Sequence, residues 1–179
     1  MLESGKPMVK PTISVYFAEP ATSRFEWNPG IFFELSAEPD GNVLKVGIYD
    51  LISSRQTRIL RREISENFEE FHRLLSEKNL KRRFGGLQGE VYKRFPKQLD
   101  ETAPSAQYLK HKLFYLSRRY TREEVLKKNF QTQILKDLTL ALPFLEWVLG
   151  KVPVYKKDPE RMVQGPKLIS RSEWIEERI

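Results

Sequence analysis

"KRRFGGLQGEVYKRFPKQLD", Lys81 to Asp100, sets three glycines between two basic clusters and closes with Phe-Pro-Lys before its last residues. A loop that cradles phosphate through its backbone amides can look like this. So can a turn that leaves a helix and opens a strand. The spacing decides against the first reading. "FGGLQGE" is neither Gly-x-Gly-x-x-Gly nor Gly-x-x-x-x-Gly-Lys-Ser/Thr, and both of those motifs follow a strand and open a helix. Ahead of these glycines the pattern is helical, with Phe68, Phe71, Leu74 and Leu75 recurring at i, i+3 and i+4. The stretch therefore reads as a helix exit, a glycine turn and a strand ending at Pro96.

On the N-terminal side of that helix the texture is extended. "TISVYF" (Thr12–Phe17) is β-branched and aromatic, "GIFFELSAE" follows the breaker Asn28-Pro29-Gly30, and "NVLKVGIYD" follows the turn residues Pro39-Asp40-Gly41-Asn42. A meander of three antiparallel strands is the simplest arrangement, with a hairpin over 31–49 as its firmest part. Helices begin at Ser53 or Ser54. Ile59, Leu60 and Ile64 form the apolar stripe of "SRQTRILRREI", with Arg58, Arg61 and Arg62 expected on its other side. Asn67 with Glu70 has the spacing of a capping box.

Beyond Asp100, Ser105 is placed to cap a short helix in "SAQYL". "KHKLFYLSRRY" reads as a further strand, apolar on both faces and so expected inside the sheet. Thr121 and Glu124 form another capping box. From Gln131 to Leu149, Ile134, Leu135, Leu138, Leu142, Leu145 and Val148 mark a long amphipathic helix. Pro143 is expected to kink or divide it, and Gly150 to stop it. The fold class is α+β, an antiparallel sheet of about four to five strands against several helices. Residues 1–150 form one domain. Residues 151–179 read as a proline-containing arm with a short C-terminal helix, whose Trp174 and Ile175 would dock on the domain or on a partner chain.

Composition narrows the chemistry. The chain has 179 residues, 40% hydrophobic and 31% charged, which suits a globular domain. No apolar run approaches the ~20 residues of a bilayer helix, and "MLESGKPMVKP" has no apolar signal core, so no membrane association or secretory leader is expected. The absence of cysteine excludes disulfides, thiol nucleophiles and cysteine-bound zinc, and fits a cytoplasmic setting. The two histidines, His72 and His111, share no metal-ligand spacing, and no Gly-x-Ser-x-Gly elbow accompanies them. Neither a metal nor a cofactor is implied.

The net charge of +7 is uneven: residues 1–50 carry 4 basic and 7 acidic groups, 51–150 carry 20 and 12, and 151–179 carry 7 and 5. The basic middle supplies the anion- or partner-binding candidates Lys81, Arg82, Arg83, Lys93, Arg94, Lys97, Arg118 and Arg119. The leading expectation is a non-catalytic binding domain with a protein partner or self-association. A second is nucleic-acid binding, through Arg58, Arg61, Arg62, Lys81, Arg82, Arg83, Lys93 and Arg94. A third is an enzyme or binder acting on an anionic or phosphorylated small molecule.

"GLQGEVYKRFPKQLDETAPSAQYLKHKLFYLSRRYTREEVL", followed by "PFLEWVL", resembles the C-terminal half of a bacterial family known as domain of unknown function 2461. Members tend to show a Gly-Glu-x-Leu-Lys-Arg-x-Pro-Lys turn, then a Lys-rich strand ending in Ser-Arg, then a helix with Pro-x-x-x-Trp/Phe. Gly89, Glu90, Lys93, Arg94, Pro96 and Lys97 match the turn. Leu109, Lys110, Lys112, Phe114, Ser117 and Arg118 match the strand, and Pro143, Phe144 and Trp147 the helix. The resemblance spans roughly residues 6–150. It departs at Gln98-Leu99, where the family has Gly-Phe. The family's Arg/Asp-rich signature is matched only at its end, by Lys6 and Lys10, with Val9 standing for its tyrosine. The resemblance implies an architecture and no reaction.

Overall fold

Strict alternation of side chains builds the sheet. A computed structural model describes residues 12–18, 28–36, 41–48, 54–97 and 99–152. Strands β1 (Thr12–Phe17), β2 (Gly30–Ser36), β3 (Val43–Ile48) and β4 (Phe114–Arg119) form one antiparallel sheet in the order β1-β2-β3-β4. Val15 lies opposite Phe33, Phe33 opposite Leu44, and Leu44 opposite Arg118, while Val46 faces Leu116. Directly opposed residues share a face, so this register lines Leu44, Val46, Phe114 and Leu116 along the side that the helices cover. All four are buried.

Among the described residues six helices accompany the sheet: α1 (Ser54–Glu66), α2 (Phe68–Leu75), α3 (Lys78–Phe84) and α4 (Ala106–Leu109) between β3 and β4, then α5 (Arg122–Val125) and α6 (Phe130–Lys151). Leu60, Ile64, Phe71, Leu75, Leu80 and Phe84 from α1–α3 meet Ala141, Phe144, Leu145 and Val148 of α6 in the core. The Phe71 ring lies 4.7 Å from Trp147 and 6.3 Å from Phe144. The α+β architecture with a four-stranded antiparallel sheet is as the sequence predicts. No helix among the described residues is long and apolar enough to cross a membrane.

Several local expectations change. Strand β4 ends the sheet instead of lying inside it. Among the described residues its second edge meets one isolated bridge, Gln88 to Tyr115, and another, Val91 to His111, lies just ahead of the strand. The segment after the glycines therefore forms no regular strand, although it runs beside β4. Asn67 caps α2 without a side-chain bond, because its amide donates back to the Glu63 carbonyl at 3.1 Å, so the box with Glu70 does not close. Pro143 sits within a continuous α6. It is exposed, so the Thr139 carbonyl that loses its donor lies where water can satisfy it. Gly150 does not end α6 either. The helix runs on to Lys151, and the buried Val152 donates its N–H to the Val148 carbonyl at 3.1 Å. The box of Thr121 and Glu124 forms as expected at the start of α5.

The opening glycines shape the chain. Gly85 caps α3 in the left-handed region at φ 77°, its N–H donated to the Lys81 carbonyl at 2.8 Å. Gly89, at φ 121°, turns against Leu113, whose Cβ and carbonyl oxygen would each lie 3.1 Å from an added Cβ. The proline-containing arm, with Trp174 and Ile175, lies outside the described residues.

Candidate functional site

An aspartate on the buried face of a helix organises the site. Asp137 lies about two and three turns ahead of the core residues Phe144 and Val148 on α6, and it is 1% exposed. A buried carboxylate is costly unless surrounded by donors. Two side chains supply them, and a third adds a positive charge without a hydrogen bond. Arg83, in the last turn of α3, reaches it with Nε and with Nη2, the latter at 2.9 Å to Oδ2. Tyr120, just past β4, donates its hydroxyl to Oδ2 at 2.8 Å. Arg118 of β4 brings Nε to 3.5 Å from the same oxygen.

Arg118 is also held from the other side, its Nη2 donating to Glu124 Oε1 at 2.9 Å. Gln133 of α6 donates to that oxygen at 3.2 Å. The capping box orients Glu124, since the Thr121 N–H donates to its second oxygen at 2.9 Å. That backbone bond, with smaller help from Gln133, Arg118 and Arg83, holds the Glu124 carboxyl below the usual carboxylate range. Burial pushes the Tyr120 phenol well above its ordinary value, and the bond to Asp137 pushes the same way. The bond to Asp137 likewise raises Arg83, which stays charged.

These residues form one wall of an open cleft of about 510 Å³ between α3, β4 and α6. Asn79, Arg82 and Arg83 line it from α3, Arg118 from β4, and Thr132, Gln133, Lys136, Asp137 and Leu140 from α6, with Asn129 at that helix's start. The four cations Arg82, Arg83, Arg118 and Lys136, set against Asp137 and the adjoining Glu124, leave the cleft two charges positive. Among the described residues Arg82 is held by Asn79, at 3.0 Å. Lys136 has no ion-pair partner among the described residues. The arrangement can accept an anion. The lining offers no activated nucleophile, and both oxygens of its one carboxylate are committed to donors.

Residues 3–147 match the family described as "Conserved hypothetical protein (DUF2461)". The chain belongs to that family. No curated protein and no solved structure matches it. Of the eight cations singled out in the sequence of this DUF2461 chain, the fold brings Arg82, Arg83 and Arg118 into the cleft. Lys81 and Arg119 lie exposed outside its lining. Lys93, Arg94 and Lys97 belong to the segment beside His111, also exposed and also outside it.

That segment is stapled from an unexpected direction. Arg61 does not point away from the core side of α1. It donates through Nη2 to the His111 carbonyl at 2.7 Å and through Nε to the Leu109 carbonyl at 3.3 Å, with its guanidinium 5.3 Å from the Tyr92 ring. Lys112 pairs with Glu90 across the same junction. Neither histidine lines the DUF2461 cleft. His72 Nδ1 is 2.7 Å from the Tyr108 hydroxyl, and its other nitrogen 3.3 Å from Ser76 Oγ, with no carboxylate in the chain of bonds. Burial lowers the His111 pKa, against a backbone hydrogen bond at Gln88. Sequence reasoning missed Asp137, Tyr120, Gln133 and Lys136. A signal for Asp137 existed: it is the one acid at a core position of α6, at 3.6-residue spacing ahead of Ala141, Phe144 and Val148.

Proposed function

We propose that this chain is a non-catalytic binding domain whose recognition site is the cleft between α3, β4 and α6, and that the group it takes is anionic. The observation that carries this reading is the convergence of Arg82, Arg83, Arg118 and Lys136 on one cleft from three elements separated in sequence. Arg83 and Arg118 are already anchored by Asp137 and Glu124, so little side-chain freedom is lost when they meet a ligand. Their remaining guanidinium N–H groups, beyond those held by Asp137 and Glu124, can donate to a phosphate or carboxylate, and Asn79, Thr132 and Gln133 add neutral hydrogen-bonding groups. A phosphorylated small molecule, a phosphorylated or acidic protein partner, and a nucleic-acid backbone share that chemistry. The cytoplasm is the proposed setting, on the absence of cysteine.

Thermal unfolding with added pyrophosphate tests the reading. At ~100 times its dissociation constant a ligand adds about 2.7 kcal/mol of stability, and Arg82→Ala with Lys136→Ala should remove most of that gain. Both side chains are exposed, so the double variant should fold. A gain equal in wild type and variant places the anion elsewhere, and no gain with pyrophosphate, phosphate or sulfate defeats the reading. A single-stranded oligonucleotide is the second arm. Binding whose affinity falls steeply with salt favours a nucleic-acid backbone as the source of the phosphate.

A further inference from the structure

The basic cleft does not stop at its charged end. Along α6, Asn129, Thr132, Lys136, Leu140 and Pro143 recur at three- and four-residue intervals and so share a face. Positions up to Leu140 line the basic cleft. Leu140, Thr139 and Pro143 line a second cleft of about 440 Å³ between α2, α3 and α6. Leu140 belongs to both. On α3 the same division holds, with Asn79, Arg82 and Arg83 on the basic side and Glu77 and Leu80 on the other.

The second cleft has the opposite chemistry. Leu74, Leu80, Leu140 and Pro143 supply apolar surface, and the Thr139 hydroxyl is occupied within its own helix, donating to the Leu135 carbonyl at 2.8 Å. Glu70 and Glu77 also line this end, against the single cation Arg73. A second anionic group there would be repelled, whereas an apolar chain would gain by leaving water.

We infer that the ligand is an anionic amphiphile, with one phosphate or carboxylate head between Arg82, Arg118 and Lys136 and an apolar tail laid across Leu140 toward Pro143. This rests on the anion-binding reading of the basic cleft. It adds the requirement that ligands be charged at one end only.

Calorimetric titration of the intact chain with methyl phosphate, octyl phosphate below its micelle concentration, and octanol separates the two ideas. Octyl phosphate should bind at least tenfold more tightly than methyl phosphate. Pro143→Glu, at an exposed position, should bring octyl phosphate back to the affinity of methyl phosphate. Arg82→Ala with Lys136→Ala should weaken octyl phosphate by tenfold or more. Equal affinities for the two phosphates overturn the tail site and leave the anion site standing. An octyl gain that survives Pro143→Glu overturns the tail site too. If octanol binds as well as octyl phosphate while methyl phosphate fails to bind, the anion reading falls, and the inference with it. Octyl phosphate as the free alkyl ester and as a minor component of neutral lipid vesicles then distinguishes a soluble ligand from a membrane-borne one. Either source is consistent with the site.

Discussion

Arg83 and Arg118 on one side, and Lys93, Arg94 and Lys97 on the other, come from equally basic stretches, yet the fold gives them different physical settings. The first pair is partly buried and divided between Asp137 and Glu124, at fixed distances and with helix α6 behind them. The second group follows the Val91 bridge in a segment without regular structure, exposed and without ion-pair partners among the described residues. Charge that has been partly desolvated must be compensated, and the compensation holds it in place. Charge left in water costs nothing and is free to move. On the proposed reading of the cleft, a recognition site is marked less by the count of cations than by the carboxylates that anchor them.

The largest test of that contrast is Asp137→Ala. It would leave Arg83, Arg118 and Tyr120 around a hole with no acceptor. Breaking a buried pair by removing one partner costs about 3 kcal/mol or more, which a urea titration would read as a marked fall in midpoint with little change in slope. Asp137→Asn should recover part of the loss, since the amide oxygen still accepts from Tyr120. A loss below about 1 kcal/mol in the alanine variant would mean that the arginines are held by something other than this carboxylate.

How much of this was legible beforehand follows from which features are local. The β2–β3 hairpin and the α1 and α2 stripes are written in side-chain periodicity, and they appear where that periodicity puts them, whereas α6 forms with its buried face turned to Asp137, Ala141, Phe144 and Val148, leaving Leu135 and Leu142 of the expected stripe exposed. The box of Thr121 and Glu124 is equally local. The place of β4 is not, because apolar residues on both faces of a strand do not say what lies beyond its edge. Here that neighbour is the glycine-turned segment with two bridges. In sequence Arg61 looks solvent-facing, because its acceptors, the Leu109 and His111 carbonyls, lie some 50 residues away. The cleft was half legible. Arg82, Arg83 and Arg118 stand out as cations, but nothing in their spacing joins α3 to β4. What joins them is Asp137, hidden among leucines in the α6 stripe.

A smaller effect should come from Tyr120→Phe, which removes one hydrogen bond to a carboxylate and keeps the ring against Phe130, whose centroid is 5.1 Å away. About 2 kcal/mol is expected. The pH dependence carries the sign. Because the folded state raises the phenol above the ordinary value near 10, its contribution is complete below that pH. It is lost as pH rises beyond it, where the unfolded chain releases the proton first. Stability of the wild type should therefore fall on the alkaline side. Tyr120→Phe should fall less steeply there, as measured by urea midpoints between neutral pH and pH 11. Parallel curves would detach Tyr120 from the network.

The smallest effect is expected where sequence alone would have looked hardest. Replacing Lys93, Arg94 and Lys97 together by alanine removes three positive charges, and so weakens any long-range attraction of anions. It touches no carboxylate partner and no cleft lining. Stability should stay within about 0.5 kcal/mol of wild type. Pyrophosphate affinity, measured at moderate salt where the screening length is ~10 Å or less, should change by no more than about twofold. The same titration on Arg82→Ala with Lys136→Ala supplies the scale. If the triple variant loses as much affinity as that double variant, the segment beside His111 belongs to the recognition site. The contrast between anchored and free cations would then fail at its functional end, even if the stability measurements uphold its structural end.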